Sequence, residues 1–138
     1  GLSRVLADSY TLYLKTHNYH WNVEGPQFKE LHDVFEAQYT DLAAAVDDIA
    51  ERIRALGHYA PGSYTDFARL AAIEEDTGRP DAMAMVRRLA EDQETIVNTC
   101  RDVLRVAGEA GDAATDDLLS GRVRVHEKNA WMLRAHLG

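Results

Sequence analysis

The sequence predicts an all-α protein, a four-helix bundle with a short extra helix in the connection between helices 2 and 3. Two observations predict this class. Apolar residues recur at helical spacing over four long stretches of the 138-residue chain, and only three prolines interrupt it. Hydrophobic residues make up 46% of the sequence, which is enough for the core of one domain spanning residues 1–138.

The first helix is predicted from the start of the chain to about Val23. Ser3 is a candidate N-cap, and the apolar positions that follow keep helical spacing: Leu2, Val5, Leu6, Tyr10, Tyr13 and Leu14. His17 lies one turn before His20. It is either a hydrogen-bonded histidine at an interface or a base or accessory ligand beside His20.

A second, longer helix is predicted after the break at Gly25 and Pro26. Pro26 suits its first turn, and Gly57 suits its C-cap. Its apolar positions are Phe28, Leu31, Phe35, Leu42, Val46, Ile49, Ile53 and Leu56. Such a helix is longer than most globular helices, as a bundle requires.

Glycine and proline between Gly57 and Pro80 predict a long crossover, and apolar residues after Ser63 predict a short helix within it. A third long helix follows from about Asp81 to Ala107, and a fourth, capped by Asp112, runs to about Leu137. No histidine has a glutamate three positions before it, so the chain lacks the Glu-x-x-His pattern of a di-iron site inside one bundle. We therefore interpret His126 and His136 as structural or surface residues.

Two pairs of candidate metal ligands lie on the second helix. His32 and Glu36 are one turn apart, and so are Asp47 and Glu51, so each pair shares a helix face. Glu36 and Asp47 are too far apart for one ion, because the eleven positions between them span about 16 Å of helix. One chain alone therefore cannot use both pairs at a single metal.

A second copy of the helix, packed antiparallel, brings the two pairs together. The pairs share one midpoint, between Asp41 and Leu42, so one two-fold axis places His32 opposite the partner's Glu51 and Glu36 opposite the partner's Asp47. His20 can fold back from the first helix to add a second imidazole. Mixed imidazole and carboxylate ligands favour iron or manganese over a closed structural zinc site. The alternative is that these are ordinary charged surface residues.

Four segments carry a resemblance to a known family. HWNVEGPQFKELHDVFEAQY, DDIAERIRALG, EAGDAATDDLL and HEKNAWMLRA together resemble the DNA-protecting ferritin-like proteins of starved cells, the Dps family, and the resemblance covers essentially the whole chain. It implies a ferritin-like bundle and a ferroxidase site at a two-fold subunit interface. By resemblance, His20, His32 and Glu36 come from one chain, and Asp47 and Glu51 from its partner.

The resemblance also implies an activity. Two Fe(II) ions would be oxidised to Fe(III), with hydrogen peroxide preferred over dioxygen, and the mineral would collect in a hollow shell of twelve subunits built from two-fold dimers. Trp21, next to His20, would absorb stray oxidising equivalents, although a tryptophan at such a position is more often part of a core.

Carboxylates at the start of the fourth helix have two interpretations. Asp116 and Asp117 lie where negative charge stabilises a helix N-terminus, and Asp112 is a natural cap. In the Dps family this region surrounds a three-fold pore. The resemblance therefore implies that Asp117, and less directly Asp112 and Asp116, guide Fe(II) inward.

DNA compaction is the alternative function, as in some Dps proteins. The net charge of −8 repels DNA phosphate, and the only lysines are Lys15, Lys29 and Lys128, with no basic cluster at either terminus. We therefore expect no DNA binding by this chain. Because the sequence begins with Gly1 rather than Met, we expect that residues precede it, and a basic tail there would reverse that expectation. A metal-free structural shell is a third option.

The remaining features concern the cellular compartment. There is one cysteine, Cys100, which excludes an intrachain disulfide and fits a reducing environment. We interpret it as a core or helix-surface residue. No long apolar run or signal-like start is present, so we expect no membrane span and a cytoplasmic location, with nucleoid association if the DNA alternative holds.

Overall fold

The computed structural model describes residues 1–138 and contains five α-helices and no strands. These are α1 (Leu2–Asn22), α2 (Phe28–Ala55), α3 (Tyr64–Leu70), α4 (Ala82–Ala110) and α5 (Ala113–Ala135). Two long hairpins, α1 with α2 and α4 with α5, form the bundle, and the short α3 lies in the crossover between them. The predicted fold class is confirmed, including the extra helix.

Most predicted helix ends are confirmed by cap contacts. The side chains of Ser63, Asp81 and Asp112 each accept a hydrogen bond from a backbone N–H three residues on. Gly57 follows α2 with a φ of +93°, a left-handed conformation that favours glycine, and it closes the helix as expected. The third long helix ends at Ala110, three residues later than predicted.

Two predicted details at the helix starts are wrong. Ser3 does not cap α1, because the helix begins at Leu2 and the carbonyl of Gly1 accepts the first bonds, from the N–H groups of Arg4 and Val5. Pro26 is not in the first turn of α2. It lies in a preceding turn closed by the N–H of Phe28 donating to the carbonyl of Gly25 at 3.0 Å.

The bundle core contains the apolar stripe of every long helix. Its largest fully buried side chains include Leu12 and Tyr19 of α1, Phe35 of α2, Leu89 of α4 and Leu119 of α5. Each such leucine or phenylalanine contributes about 1.5–3 kcal/mol by leaving water. Cys100 is also buried, and burial raises the pKa of its thiol to about 12, so it is a core residue. No helix is both long and apolar enough to cross a membrane.

A row of buried polar side chains on α1 holds the crossover. Asp8 accepts bonds from the backbone N–H groups of Ala72 and Ile73, Lys15 donates to the carbonyl of Glu74 at 2.8 Å, and the Tyr19 hydroxyl donates to Asp76. The same α1 residues reach α4: Asp8 accepts from Thr99, Lys15 pairs with Asp92 at 2.8 Å, and Arg88 meets Tyr19 through Asp76.

The spacing of this row shows how the helices run. The steps of seven and four residues along α1, from Asp8 to Lys15 to Tyr19, are matched by equal steps back along α4, from Thr99 to Asp92 to Arg88. Helices α1 and α4 are therefore antiparallel and in fixed register. Since α1 is also antiparallel to α2, helices α2 and α4 run in the same direction, and their connection must return along the length of the bundle.

Candidate metal centre

The end of α1 and the start of α2 bring two imidazoles into contact. The rings of His20 and His32 are stacked with centroids 3.7 Å apart and an interplanar angle of 16°. His20 is 6% exposed, whereas His32 is half-buried. The antiparallel hairpin and its turn at Gly25 and Pro26 place these residues side by side, although they are twelve positions apart in sequence.

Each of these imidazoles is held by the backbone of the other. Nδ1 of His20 lies 2.8 Å from the carbonyl oxygen of His32, and Nδ1 of His32 lies 2.7 Å from the carbonyl oxygen of His20. A carbonyl can only accept, so both Nδ1 atoms carry the proton and donate. In the neutral rings, both Nε2 atoms then keep a lone pair. This is the arrangement that orients metal-binding histidines.

Glu36 completes the group within one chain. Its Oε1 lies 3.8 Å from Nε2 of His20, and its side chain is 59% exposed. The predicted set of His20, His32 and Glu36 is therefore together, with a carboxylate beside an imidazole lone pair and open to solvent. The ring of Phe28 stacks on His32 at 5.0 Å from the outer side.

Asp47 and Glu51 lie elsewhere on α2. Both are exposed, and neither makes a hydrogen bond or an ion pair within the chain. By the ordinary helical rise, Asp47 is about 16 Å along the helix from Glu36, and Glu51 lies one turn further away. Within one chain, no group of three or more histidine, cysteine, aspartate or glutamate side chains could hold a metal ion, and this includes the set of His20, His32 and Glu36.

The helix face between the two groups carries only small exposed side chains. Glu36, Thr40, Ala44, Asp47 and Glu51 share one exposed stripe of α2, and Ala37 and Ala43 flank it. Small side chains allow the backbone of another helix to approach closely. Charged candidate ligands therefore lie at both ends of a central surface that is formed by small side chains.

Other aromatic residues surround the imidazole group. His17 is half-buried, and its ring stacks on Tyr39 at 4.1 Å and lies tilted against Trp21 at 3.9 Å. Burial lowers the pKa of His17, and the neighbouring His20 lowers it further. Trp21 is 59% exposed, so it is not a core residue in this chain. Sequence reasoning missed Tyr39, although its position three residues after Glu36 on the same helix was a signal.

At the other end of the bundle, the three predicted pore carboxylates differ in their contacts. Asp112 is engaged: it accepts from Thr115 N–H and hydroxyl and from Arg52 Nη2, and these contacts hold the pKa of its carboxyl below its usual range. Asp116 accepts from the Ser120 hydroxyl at 3.2 Å. Asp117 is exposed and has no partner in the chain.

His126 contrasts with the paired imidazoles. It is fully buried, its Nδ1 lies 2.6 Å from Oε1 of Gln93, and its Nε2 lies 3.2 Å from Nη2 of Arg122. Burial lowers its pKa to about 3, and the positive charge of Arg122 adds to that effect. Because both ring nitrogens are engaged, His126 has a structural role, as the sequence indicated.

Sequence comparison finds a family and relatives that match almost the whole chain. A family model described as a ferritin-like domain matches residues 1–138. A low-temperature-induced protein of Nostoc is 45% identical over 138 residues, covering 99% of this chain and 77% of that protein. A DNA protection during starvation protein of Bacillus anthracis is 38% identical over 136 residues, covering 99% of this chain and 93% of the relative.

A solved structure of a Dps protein is also similar to this chain. The Dps protein of Vibrio cholerae, described as a member of a broad superfamily of ferritin-like diiron-carboxylate proteins, superposes with a TM-score of 0.95 at 38% identity. The match covers 99% of this chain and 86% of that one.

Proposed function

Because the chain belongs to the Dps family of ferritin-like diiron-carboxylate proteins, we propose that it is an iron-storing ferroxidase with its site between two subunits. His20, His32 and Glu36 of one subunit, with Asp47 and Glu51 of its partner, bind two Fe(II) ions as substrate. Hydrogen peroxide oxidises them, and Fe(III) mineral collects inside a hollow shell of twelve subunits. The single observation that carries this proposal is the reciprocal hydrogen bonding of His20 and His32.

This imidazole pair fits iron. Both Nδ1 protons are committed to backbone carbonyls, so the Nε2 lone pairs are free while the rings cannot rotate. Glu36 adds an anionic oxygen beside Nε2 of His20. Two imidazoles with carboxylates, open to solvent on one side, form a ligand set with positions left for an oxidant.

The exposed stripe of α2 fits a two-fold partner. An antiparallel copy centred between Asp41 and Leu42 sets Thr40 against Ala43 of the partner subunit, where only small side chains meet. The same axis brings the partner subunit's Asp47 to Glu36 and its Glu51 to His32. Each dimer then has two equivalent sites, and both are made from two chains.

The chemistry balances with two iron ions at each site. In the overall reaction 2 Fe²⁺ + H₂O₂ + 2 H₂O → 2 FeOOH + 4 H⁺, each Fe(II) gives one electron and peroxide takes both. The two electrons are delivered together, so no hydroxyl radical is released. This reaction would serve iron storage and protect the cell from oxidative stress. The protein contributes ligands that hold the two ions at one place.

The carboxylates at the start of α5 would serve iron entry. Asp117, with Asp116 beside it, would draw Fe(II) through a three-fold opening, and the net charge of −8 on each chain adds to the attraction. Asp112 is less suited to this role, since its carboxylate is already bound by Thr115 and Arg52.

The DNA-compacting alternative is not favoured by any contact in the chain. Lys15 is buried against Asp92, and Lys29 pairs with Asp33 at 3.1 Å, so two of the three lysines are already matched by carboxylates. A cytoplasmic location is also part of the proposal, because a single buried cysteine suits a reducing compartment.

Subunit mixing tests the shared site. One variant, His32→Ala with Glu36→Gln, keeps only His20 of the imidazole half, and the other, Asp47→Asn with Glu51→Gln, has no anionic ligand in the carboxylate half. Each alone is expected to oxidise Fe(II) no faster than buffer. After the two are unfolded together in equal amounts and refolded, about a quarter of the sites regain both halves by random pairing, and peroxide-dependent oxidation returns to that extent.

A matched control uses two variants of the same half, His20→Ala and His32→Ala, which cannot restore each other in any pairing. The shared site would be contradicted if either double variant oxidised Fe(II) before mixing. It would also be contradicted if mixing restored no activity while a wild-type sample refolded alongside regained its own. Failure of wild-type protein to exceed buffer would contradict the ferroxidase itself.

A further inference from the structure

Four tyrosines form a continuous run of contacting rings that begins at the candidate ligand His20. The ring of Tyr39 lies 5.1 Å from that of His20, Tyr13 lies 6.1 Å from Tyr39, and Tyr10 lies 5.8 Å from Tyr13. Tyr64 of α3 lies 6.4 Å beyond Tyr10. All these centroid distances are within the range of aromatic contact. We call Tyr39, Tyr13, Tyr10 and Tyr64 the tyrosine run.

The tyrosine run includes most of the tyrosines in the chain and leads from the imidazoles to the surface. Of the six tyrosines in the chain, only Tyr19 and Tyr59 lie outside it. Tyr19 is buried and its hydroxyl is bound to Asp76, whereas Tyr59 is 86% exposed and packs under Arg54. The run starts at a half-buried residue beside the imidazoles and ends at Tyr64, which is 74% exposed on the chain surface.

We propose that Tyr39 supplies an electron when peroxide reaches a site that holds only one Fe(II), and that the tyrosine run carries the oxidising equivalent away to Tyr64. This inference rests on the proposed ferroxidase function. It concerns a situation that paired oxidation does not cover, since a half-filled site has one electron to give and peroxide requires two.

The step balances without any further reactant: Fe²⁺ + H₂O₂ + Tyr–OH → Fe³⁺ + OH⁻ + H₂O + Tyr–O•. The O–O bond breaks, iron gives one electron, and the phenol gives the second electron together with its proton. That proton joins one of the two hydroxides to make water. The Tyr39 hydroxyl has no hydrogen-bond partner in the chain, so no internal contact must break for the proton to leave.

Tyr39 is better placed for this step than Trp21. Its ring is in edge contact with the ring of His20 at an angle of 69°, whereas the indole of Trp21 contacts His17. Trp21 makes no ring contact with His20 or His32, and its only ring contact is with His17. Tyr39 is therefore the only tyrosine or tryptophan whose ring contacts an imidazole of the pair.

Freeze-quench electron paramagnetic resonance tests the role of Tyr39. Wild type, Tyr39→Phe and Tyr59→Phe are each loaded with one Fe(II) per site and mixed with excess hydrogen peroxide. A tyrosyl signal is expected in wild type and in Tyr59→Phe and is expected to be lost in Tyr39→Phe, with a rise in spin-trapped hydroxyl radical in that variant. Phenylalanine keeps the ring stacked on His17, so the local packing is retained.

A second readout separates this inference from the proposed function. With two Fe(II) per site, Tyr39→Phe is expected to oxidise iron at the wild-type rate, because the paired reaction needs no tyrosine. Normal oxidation in wild type without a tyrosyl signal, or an equal signal in Tyr39→Phe, would overturn the role of Tyr39. No oxidation above buffer in wild type would overturn both proposals.

The rest of the run is tested by Tyr13→Phe, which interrupts it one ring beyond Tyr39. The radical is then expected to stay at Tyr39 and to decay more slowly than in wild type. An unchanged lifetime would overturn transfer along the run.

Discussion

The imidazole half of the proposed iron site is fixed by contacts within one chain, whereas the carboxylate half is placed only by the helix that carries it. His20 and His32 each donate to the backbone of the other, and Phe28 covers the outer ring. The side chains of Asp47 and Glu51 are exposed and make no hydrogen bond or ion pair within the chain. Both halves lie on or against α2, so the helix itself does not explain why one half is held by contacts and the other is not.

The difference indicates how assembly would control the chemistry. Ordering two imidazoles costs conformational entropy, and that cost is met when the chain folds. The carboxylates keep their rotamer freedom until a partner and metal are present. A lone chain would then hold Fe(II) weakly, and oxidation would require the dimer.

The largest expected effect comes from the carboxylate half. Asp47→Asn keeps the size of the side chain and removes one anionic ligand, so we expect iron oxidation to slow by at least about a hundredfold, since a metal ligand contributes several kcal/mol. Stopped-flow absorbance of Fe(III) measures it. Asp48→Asn is the matched control, because it removes the same charge from the adjacent exposed position. Equal loss in both variants would mean that net charge, and not ligation, matters.

A smaller effect is expected at the edge of the imidazole half. Phe28→Leu removes the ring stacked on His32 and loosens its orientation, which we expect to weaken Fe(II) binding about tenfold, as for other residues that orient metal ligands. Oxidation at saturating iron should stay near the wild-type rate. Anaerobic titration calorimetry measures the affinity, and Phe28→Tyr, which keeps the ring, should bind like wild type. Unchanged affinity in Phe28→Leu would show that the backbone hydrogen bonds alone hold His32.

No effect on iron oxidation is expected from a change at the buried His126. His126→Asn should leave oxidation unchanged, because both nitrogens of His126 are engaged by Gln93 and Arg122, the latter paired with Asp41. Its pH effect is on stability. The folded pKa is about 3 and the unfolded value is about 6.5, so the unfolded chain takes up a proton that the folded chain does not.

Stability should therefore fall as the pH drops from about 6.5 toward 3, by up to about 1.4 kcal/mol per pH unit from this group. Urea midpoints at fixed protein concentration, compared between pH 7 and pH 5, should change less in His126→Asn than in wild type. An equal change would show that groups other than His126 cause the acid sensitivity.

The elements of the fold and half of the site geometry were predictable because they depend on local spacing. The apolar period set α2, and capping chemistry set the starts of α3, α4 and α5 at Ser63, Asp81 and Asp112. The grouping of His32 with Glu36 follows from one helical turn. These features need no knowledge of distant residues.

The rest depends on contacts across the fold. The hydrogen bonds between His20 and His32 require the exact angle of the Gly25 turn, which spacing does not give. The buried contacts of Asp8 and Lys15 join residues more than fifty positions apart, and a charged residue in a sequence usually indicates a surface. Their spacing of seven on one face of α1 was the available signal.

The row of anchors on α1 also determines how long the crossover can be. Asp8 holds Ala72 and Ile73, Lys15 holds Glu74, and Tyr19 holds Asp76, in the same order along both segments. Surface loops usually tolerate insertions at little cost. Here an added residue between Ile73 and Asp76 would move the last anchor out of step with the helix, so this stretch would accept changes of sequence more readily than changes of length. A tag or a fused domain therefore belongs elsewhere, such as in the exposed stretch at His58 and Tyr59, which lies between α2 and the Ser63 cap.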